Sequence, residues 1–264
     1  MKIAIMSDIH GNSIALDAVL NDIDSLGGVD AYWFVGDYCA IGHDPVGVLE
    51  RIANLPNAKF VRGNTDRYSV TNDVPHPYPE NVLNNLNGIL QLQQVARSFA
   101  WTRGMLTASG WFNWMRELPI EYRTTLLDGT RVLLVHAHPN SDDGDGLFAD
   151  ADDNFVNRLY GDADAELIFV GHIHWQHNRQ LPHMRVVNVA SVGNPVENRD
   201  ACYTILNADT TGHAINFHEV HYDKQAVLDA IDASHHPTAE YVKHFYRGEF
   251  KLNPIWHDDF ENKS

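Results

Sequence analysis

Basic residues, cysteines and long apolar runs are all scarce in this chain of 264 residues. Nineteen Lys and Arg stand against 35 Asp and Glu, a formal net charge of −16. A protein that tracks a nucleic-acid backbone neutralises phosphates with a basic face. This balance offers none overall, so no nucleic-acid polymer is expected as a partner. Two cysteines, Cys39 and Cys202, supply neither a disulfide framework nor a thiolate zinc site. No apolar run approaches the ~18 residues that cross a bilayer. Strand-like residues begin at Lys2 with no leader ahead of them, so a cytoplasmic protein away from membranes is the expectation. What remains is ordinary globular composition, 44% hydrophobic and 20% charged. The length suits one large α/β domain or two small ones.

Five short motifs each follow an apolar, strand-like run: Asp8-Ile9-His10, Gly36-Asp37, Gly63-Asn64, His136 and Gly171-His172-Ile173-His174. A polar residue after a strand is ordinary; five such motifs in this order are not. Together they supply seven side chains with nitrogen or oxygen donors, a set suited to two divalent cations about 3.5–4 Å apart. Such a pair needs a bridging ligand, and a carboxylate with two oxygens, here Asp37, bridges most readily. Imidazoles and an amide oxygen fill the other positions without the excess negative charge that would repel an anionic substrate. Histidine suits zinc, manganese, iron and nickel. Alternate residues of an extended chain share a side, so Asp8 and His10, and likewise His172 and His174, are expected to converge. Glycine before Asp37, Asn64 and His172 is expected to let the backbone turn closely around a metal or phosphate.

These residues resemble the calcineurin-like metallophosphoesterase superfamily, whose pattern runs D-x-H, G-D, G-N-H-D/E, H, G-H-x-H. The resemblance extends to a bacterial branch labelled diadenosine-tetraphosphatase-like, of small phosphodiesterases. It is carried there by Gly36-Asp37 through Gly42-His43-Asp44-Pro45, by His136-Ala137-His138-Pro139 and by Ala190-Ser191-Val192-Gly193-Asn194-Pro195. It implies a four-layer αββα sandwich of two mixed sheets flanked by helices. It also implies a first metal on Asp8, His10, Asp37 and His174 and a second on Asp37, Asn64, His136 and His172. The implied function is hydrolysis of a small phosphodiester or nucleotide-type substrate by in-line attack of a metal-bridging hydroxide, with two ions of Mn, Fe, Ni or Zn. Asp37, Asn64, His136 and His138 are then the residues expected at the reacting group. A catalytically weak metal-binding scaffold and a protein serine/threonine phosphatase are the alternatives. The family's G-N-H-D/E segment reads Gly63-Asn64-Thr65-Asp66 here. Threonine cannot protonate a leaving oxygen near neutral pH, which favours leaving groups that depart without help. His138 or His43 could supply the proton instead.

The first 65 residues alternate strand and helix: strands at 2–7, 31–35 and 59–62, helices after Asn12 or Ser13 and from Pro45. Such βαβαβ units place ligands at the carboxyl ends of parallel strands. The spacing predicts a Pro-marked loop at Pro75, Pro77 and Pro79, then helices at 82–99 and 111–118, a helical cap inserted at 67–118. Strands are expected at 121–127 and 131–135 as a hairpin, then at 166–170, 185–189, 203–206 and 213–221, with a helix at 151–160. Residues 1–222 form the expected domain, with 223–264 a helical extension packed on it and a short helix at 241–246.

Several weaker signals have two readings. Trp101, Trp111 and Trp114 pack the helical segment, or stack on a base. Residues 141–152 carry the glycine of a calcium loop but lack its first Asp and final Glu, so an acidic helix start is the better reading. Arg62, Arg67 and Arg199 clamp phosphate or form ion pairs. Asp66 is expected to support the Asn64 loop.

Overall fold

A computed structural model describes residues 1–73, 75, 78–196 and 199–247. Two five-stranded mixed sheets stack face to face. The first comprises β1 (Lys2–Met6), β2 (Ala31–Phe34), β3 (Lys59–Phe60), β9 (Ala201–Asp209) and β10 (Gly212–Val220), in the order β10-β9-β1-β2-β3. The second comprises β4 (Glu121–Thr125), β5 (Arg131–Val135), β6 (Leu167–Val170), β7 (His177–Gln180) and β8 (Arg185–Asn188), in the order β4-β5-β6-β8-β7. Strands β1, β2 and β3 run parallel, as do β5, β6 and β8.

The period of two in each strand sorts its side chains between layers. Ile3 and Ile5 enter the core between the sheets, with Val132, Leu134, Leu167 and Phe169. Ala4 and Met6 face helices α1 (Ser13–Ser25) and α2 (Pro45–Ala53) on the outer side of the first sheet. Leu133, Val135, Ile168 and Val170 pack on α7 (Asp153–Tyr160) outside the second. The result is the expected four-layer sandwich. No described helix is long and apolar enough to cross a membrane.

Between β3 and β4 lie α3 (Asn64–Val70), α4 (Pro79–Val82), α5 (Leu86–Ser109) and α6 (Phe112–Arg116). The helix expected at 82–99 is two elements, because the Asn85 side chain accepts from Gly88 N–H and starts α5 afresh. Trp114 packs on Tyr38 and Phe60, Trp111 on Trp114, and Trp101 on His236, so all three tryptophans make packing contacts. Three elements escape the sequence pattern. Polar β7 (HNRQ) lies at a sheet edge, paired only with β8. Helix α3 begins at Asn64, one of the expected metal donors. Helix α8 (Lys224–Ala233), capped by Asp223, precedes the expected α9 (Ala239–Tyr246); its Val227 and Ile231, one helical turn apart, were the available signal. Both helices join the core outside the first sheet through Val227, Ile231, Val242 and Tyr246. Residues 248–264 of the expected extension, and Pro77 of the loop, lie outside the described residues.

Candidate metal centre

All five motifs lie at the carboxyl ends of their strands, and the sandwich brings them together. Asp8 and His10 follow β1, Asp37 follows β2, Asn64 opens α3 after β3, His136 follows β5, and His172 and His174 follow β6. His174 Nε2 is 3.1 Å from Asp8 Oδ1 and 3.2 Å from His10 Nε2. His136 Nε2 is 3.4 Å from Asp37 Oδ2 and 3.1 Å from Asn64 Oδ1. Asp37 Oδ2 is also 3.7 Å from His10 Nε2, and Asp8 Oδ1 is 3.9 Å from His136 Nε2. The two carboxylates therefore face both halves of the cluster. The His172 ring lies 5.2 Å from that of His136, centroid to centroid, and its backbone N–H donates to Asp8 Oδ2 at 3.1 Å.

The outer hydrogen bonds determine what the inner atoms can do. Carbonyl oxygens accept from His10 Nδ1 (Ala40 O, 3.0 Å), His136 Nδ1 (Val35 O, 2.6 Å) and His174 Nδ1 (Asn194 O, 2.6 Å). His172 is turned the other way, its Nε2 donating to Gly144 O at 2.9 Å. A carbonyl cannot donate, so each neutral ring presents its remaining nitrogen as a lone pair. With the rings neutral, three Nε2 atoms, two carboxylates and an amide oxygen then face one another as acceptors. Asp8 Oδ1 is fully buried and has no hydrogen-bond partner. Acceptors at such distances repel unless positive charge sits between them, so the residues present fit divalent cations. Asp8, His10 and His174 could hold one, as could Asp8, Asp37 and His136.

The electrostatics agree. Burial alone would raise the Asp37 carboxyl, but His136, then His10 and His172, hold it well below the usual carboxylate range. Burial opposes charge on His136, yet Asp37 and Asp8 outweigh it and raise that imidazole to about 10. A cation in the same field satisfies the carboxylates that otherwise demand a proton.

Strand alternation is not what converges the ligands. Asp8, His10, Asp37, His172 and His174 all have left-handed backbones, with φ of 54°, 50°, 59°, 69° and 56°. This region is sparsely populated by residues other than glycine, and such strain persists only where the surroundings over-determine it. Here the loops are zipped together: Asp8 N–H donates to Gly36 O, His10 N–H to Asp37 O and Gly11 N–H to Tyr38 O. The glycines before the ligands also act differently from expectation. They make room for the neighbouring ligand loop: a Cβ on Gly63 would lie 2.0 Å from Asp37 Oδ1, and one on Gly171 2.5 Å from Asp8 Oδ2. Gly63→Ala is therefore expected to weaken Mn(II) binding at least about tenfold, the scale seen when a metal ligand loses its support. Calorimetric titration checks this, and native affinity in the variant would refute the close-packing account.

Asp66 has the supporting role expected of it. Its two oxygens accept from the N–H groups of Asp37, Tyr38 and Gly63 at 2.8–2.9 Å, tying the Asn64 loop to the Asp37 loop. Burial, then repulsion from Asp37, raises its carboxyl to about 7. The arginines considered as phosphate clamps form ion pairs. Arg62 and Arg67 both engage the buried Asp142, Arg67 also engages Asp143 and Asp73, and Arg199 engages Glu219. Asp142 and Asp143 belong to the acidic stretch weighed as a calcium loop, and in the structure arginines neutralise them. Half-buried His138 turns its Nδ1 to Pro139 O and makes no described contact with the seven donors. His43 Nε2 meets Ser13 Oγ at 3.3 Å. Thr65, 7% exposed, donates its backbone N–H to Asp37 Oδ1.

The model of the calcineurin-like phosphoesterase superfamily domain matches residues 1–211. The chain belongs to that superfamily. The family is one of metal-dependent phosphoesterases, in keeping with the donor cluster. The chain is 34% identical over 173 residues to an uncharacterized protein of Methanocaldococcus jannaschii. That match covers 65% of this chain and 62% of the relative, less than two thirds of the relative's length. A hypothetical protein from Pyrococcus horikoshii has a similar structure, with a TM-score of 0.78 at 22% identity over 94% of this chain and 98% of that one. A metallophosphoesterase from Sphaerobacter thermophilus gives 0.70 at 23% identity, over 95% and 100%. At these identities the two likenesses establish the fold.

Proposed function

We propose that this member of the superfamily is a two-metal phosphoesterase that prefers small diesters, aryl esters or phosphoanhydrides, of nucleotide type, to alkyl monoesters. The observation that supports the reading is the convergence, from five loops, of two buried carboxylates, three imidazole Nε2 atoms and an amide oxygen, a donor set suited to divalent cations. Asp8, His10, Asp37 and His174 would hold one ion and Asp37, Asn64, His136 and His172 the other, with Mn, Fe, Ni or Zn the suited metals. Bound divalent ions supply an activated water nucleophile and neutralise charge on the phosphoryl oxygens.

The chain's own residues supply orientation. Carbonyl contacts hold the four imidazoles in one tautomer each. Asn64, at the start of α3, would turn its amide to a phosphoryl oxygen. No acid is provided at position 65: the Thr65 hydroxyl is buried and far too weak an acid to protonate a departing alkoxide. A leaving group that departs as a stable anion does not need one. With Mn(II)-loaded protein, bis-p-nitrophenyl phosphate is expected to turn over at least about tenfold faster than a simple alkyl phosphate monoester, a modest share of the 10²–10⁴ that acid catalysis contributes. Faster hydrolysis of the alkyl monoester would sink the preference. Absence of any hydrolysis with two metals bound would favour a scaffold role.

A further inference from the structure

Helix α9 touches the backbone of a candidate metal ligand. Tyr246, at the end of α9, is 7% exposed, and its hydroxyl lies 3.1 Å from the carbonyl oxygens of both His10 and Ile41. These carbonyls belong to the two loops that leave β1 and β2 side by side. Both residues sit in the left-handed region, His10 at φ 50° and Ile41 at φ 68°. The packing there is tight, since a Cβ on Gly42 would lie 1.8 Å from His10 O. Among the described residues no backbone N–H donates to either oxygen. The single phenolic proton therefore serves a buried acceptor, His10 O, and a part-buried one, Ile41 O, to which no described backbone N–H donates.

The side chain of His10 links this contact to the site. Its Nδ1 is held by Ala40 O, the residue before Ile41, and its Nε2 faces Asp8, Asp37 and His174. Releasing the phenol frees the carbonyl of His10 and the loop that orients its ring. Helix α9 is held in turn by Val242 in the same core as Val227 and Ile231 of α8 and Leu16 and Val19 of α1. An unbroken set of contacts thus runs from α8 and α9 to one ligand.

We infer that Tyr246 is a positioning residue that couples docking of α8 and α9 to cation binding on the His10 side of the site, an inference that rests on the metal-binding reading above. Coupling of this kind is reciprocal: if the docked helix tightens the cation, the cation tightens the helix.

The test uses the full chain, stripped of metal and titrated with Mn(II) alone. Tyr246→Phe removes one oxygen and keeps the ring. It is expected to weaken the Mn(II) association by about five- to tenfold, the scale of one buried hydrogen bond. Tyr241→Phe, on the same helix, is expected to bind as the native chain does. Hydrogen exchange supplies the second readout. Mn(II) should slow exchange of the 239–246 amides in the native chain, and that gain should vanish in Tyr246→Phe, which a merely structural residue would not produce. Equal Mn(II) affinity in the native and Tyr246→Phe chains overturns the inference, as does α9 exchange in the native chain that ignores Mn(II). If the variant does not fold, the exchange comparison on the native chain decides alone. A native chain that binds no Mn(II) overturns the metal reading and this inference together. Coupling without diester hydrolysis overturns only the phosphoesterase proposal.

Discussion

Asp37→Asn is expected to reduce phosphodiester turnover by at least about 10³-fold, comparable to the loss of a principal electrostatic contributor at a reacting phosphate. The substitution preserves shape, and the variant's carbonyl can keep the bond from Thr65 N–H that Oδ1 now accepts. Its amide nitrogen would then point where Oδ2 lies, 3.4 Å from His136 Nε2 and 3.7 Å from His10 Nε2. An N–H donor there occupies a lone pair that a cation needs and removes one of the two carboxylate charges facing both halves of the cluster. Metal content should fall accordingly. Elemental analysis of dialysed protein alongside bis-p-nitrophenyl phosphate kinetics checks both effects. More than a tenth of native turnover, or full metal content, would show that Asp37 does not join the two halves.

Arg67→Leu is expected to cost about 3 kcal/mol of stability and to loosen the His172 side of the site. Arg67 is mostly buried and reaches three carboxylates, with Nε on Asp142, Nη2 on Asp143 and Nη1 on Asp73, while its guanidinium covers the Tyr68 ring. Removing it leaves Asp142, 4% exposed, with Arg62 as its remaining cation. It leaves Asp143 hydrogen-bonded to Tyr68 without an arginine. Breaking a buried pair by deleting one partner typically costs 3–5 kcal/mol; the partial exposure of Asp143 and Asp73 places the expectation at the low end. The functional consequence follows from one residue further along, because Gly144 O is the acceptor that turns His172. Urea unfolding and Mn(II) titration test the two parts separately. An unchanged unfolding midpoint would mean these ion pairs contribute little. A large loss of stability with native metal affinity would mean that the 142–144 loop does not orient His172.

The residue types at the site were legible because each motif is local. An apolar run ending in Asp, Asn or His can be read without knowing its neighbours, and so can the four-layer pattern, since strands and helices carry their own periods. What was misread was non-local. Strand alternation is the expected way for the candidate ligands at 8, 10, 172 and 174 to converge, but their backbones are left-handed, held there by bonds between loops nearly thirty residues apart or more. For Arg62 and Arg67 the sequence leaves phosphate contact and ion pairing both open, and the fold decides by placing Asp142 and Asp143, roughly 80 positions away, against them. The polar edge strand β7 was invisible for a similar reason, because its pairing partner rather than its composition makes it a strand.

By itself, the sequence determined which chemistry the chain can carry: five strand-end motifs with metal-donor side chains, an excess of acidic over basic residues, and a threonine where a proton donor would stand. Only the tertiary structure decided how those donors are presented. The tautomers of His10, His136, His172 and His174 each depend on a carbonyl from a different segment. The strain in the ligand backbones is sustained by the adjoining loops, and the His10 loop is braced by a tyrosine 236 positions away. A side chain's chemical type is a property of one residue, whereas its orientation is a sum over contacts that exist only after the chain has closed on itself.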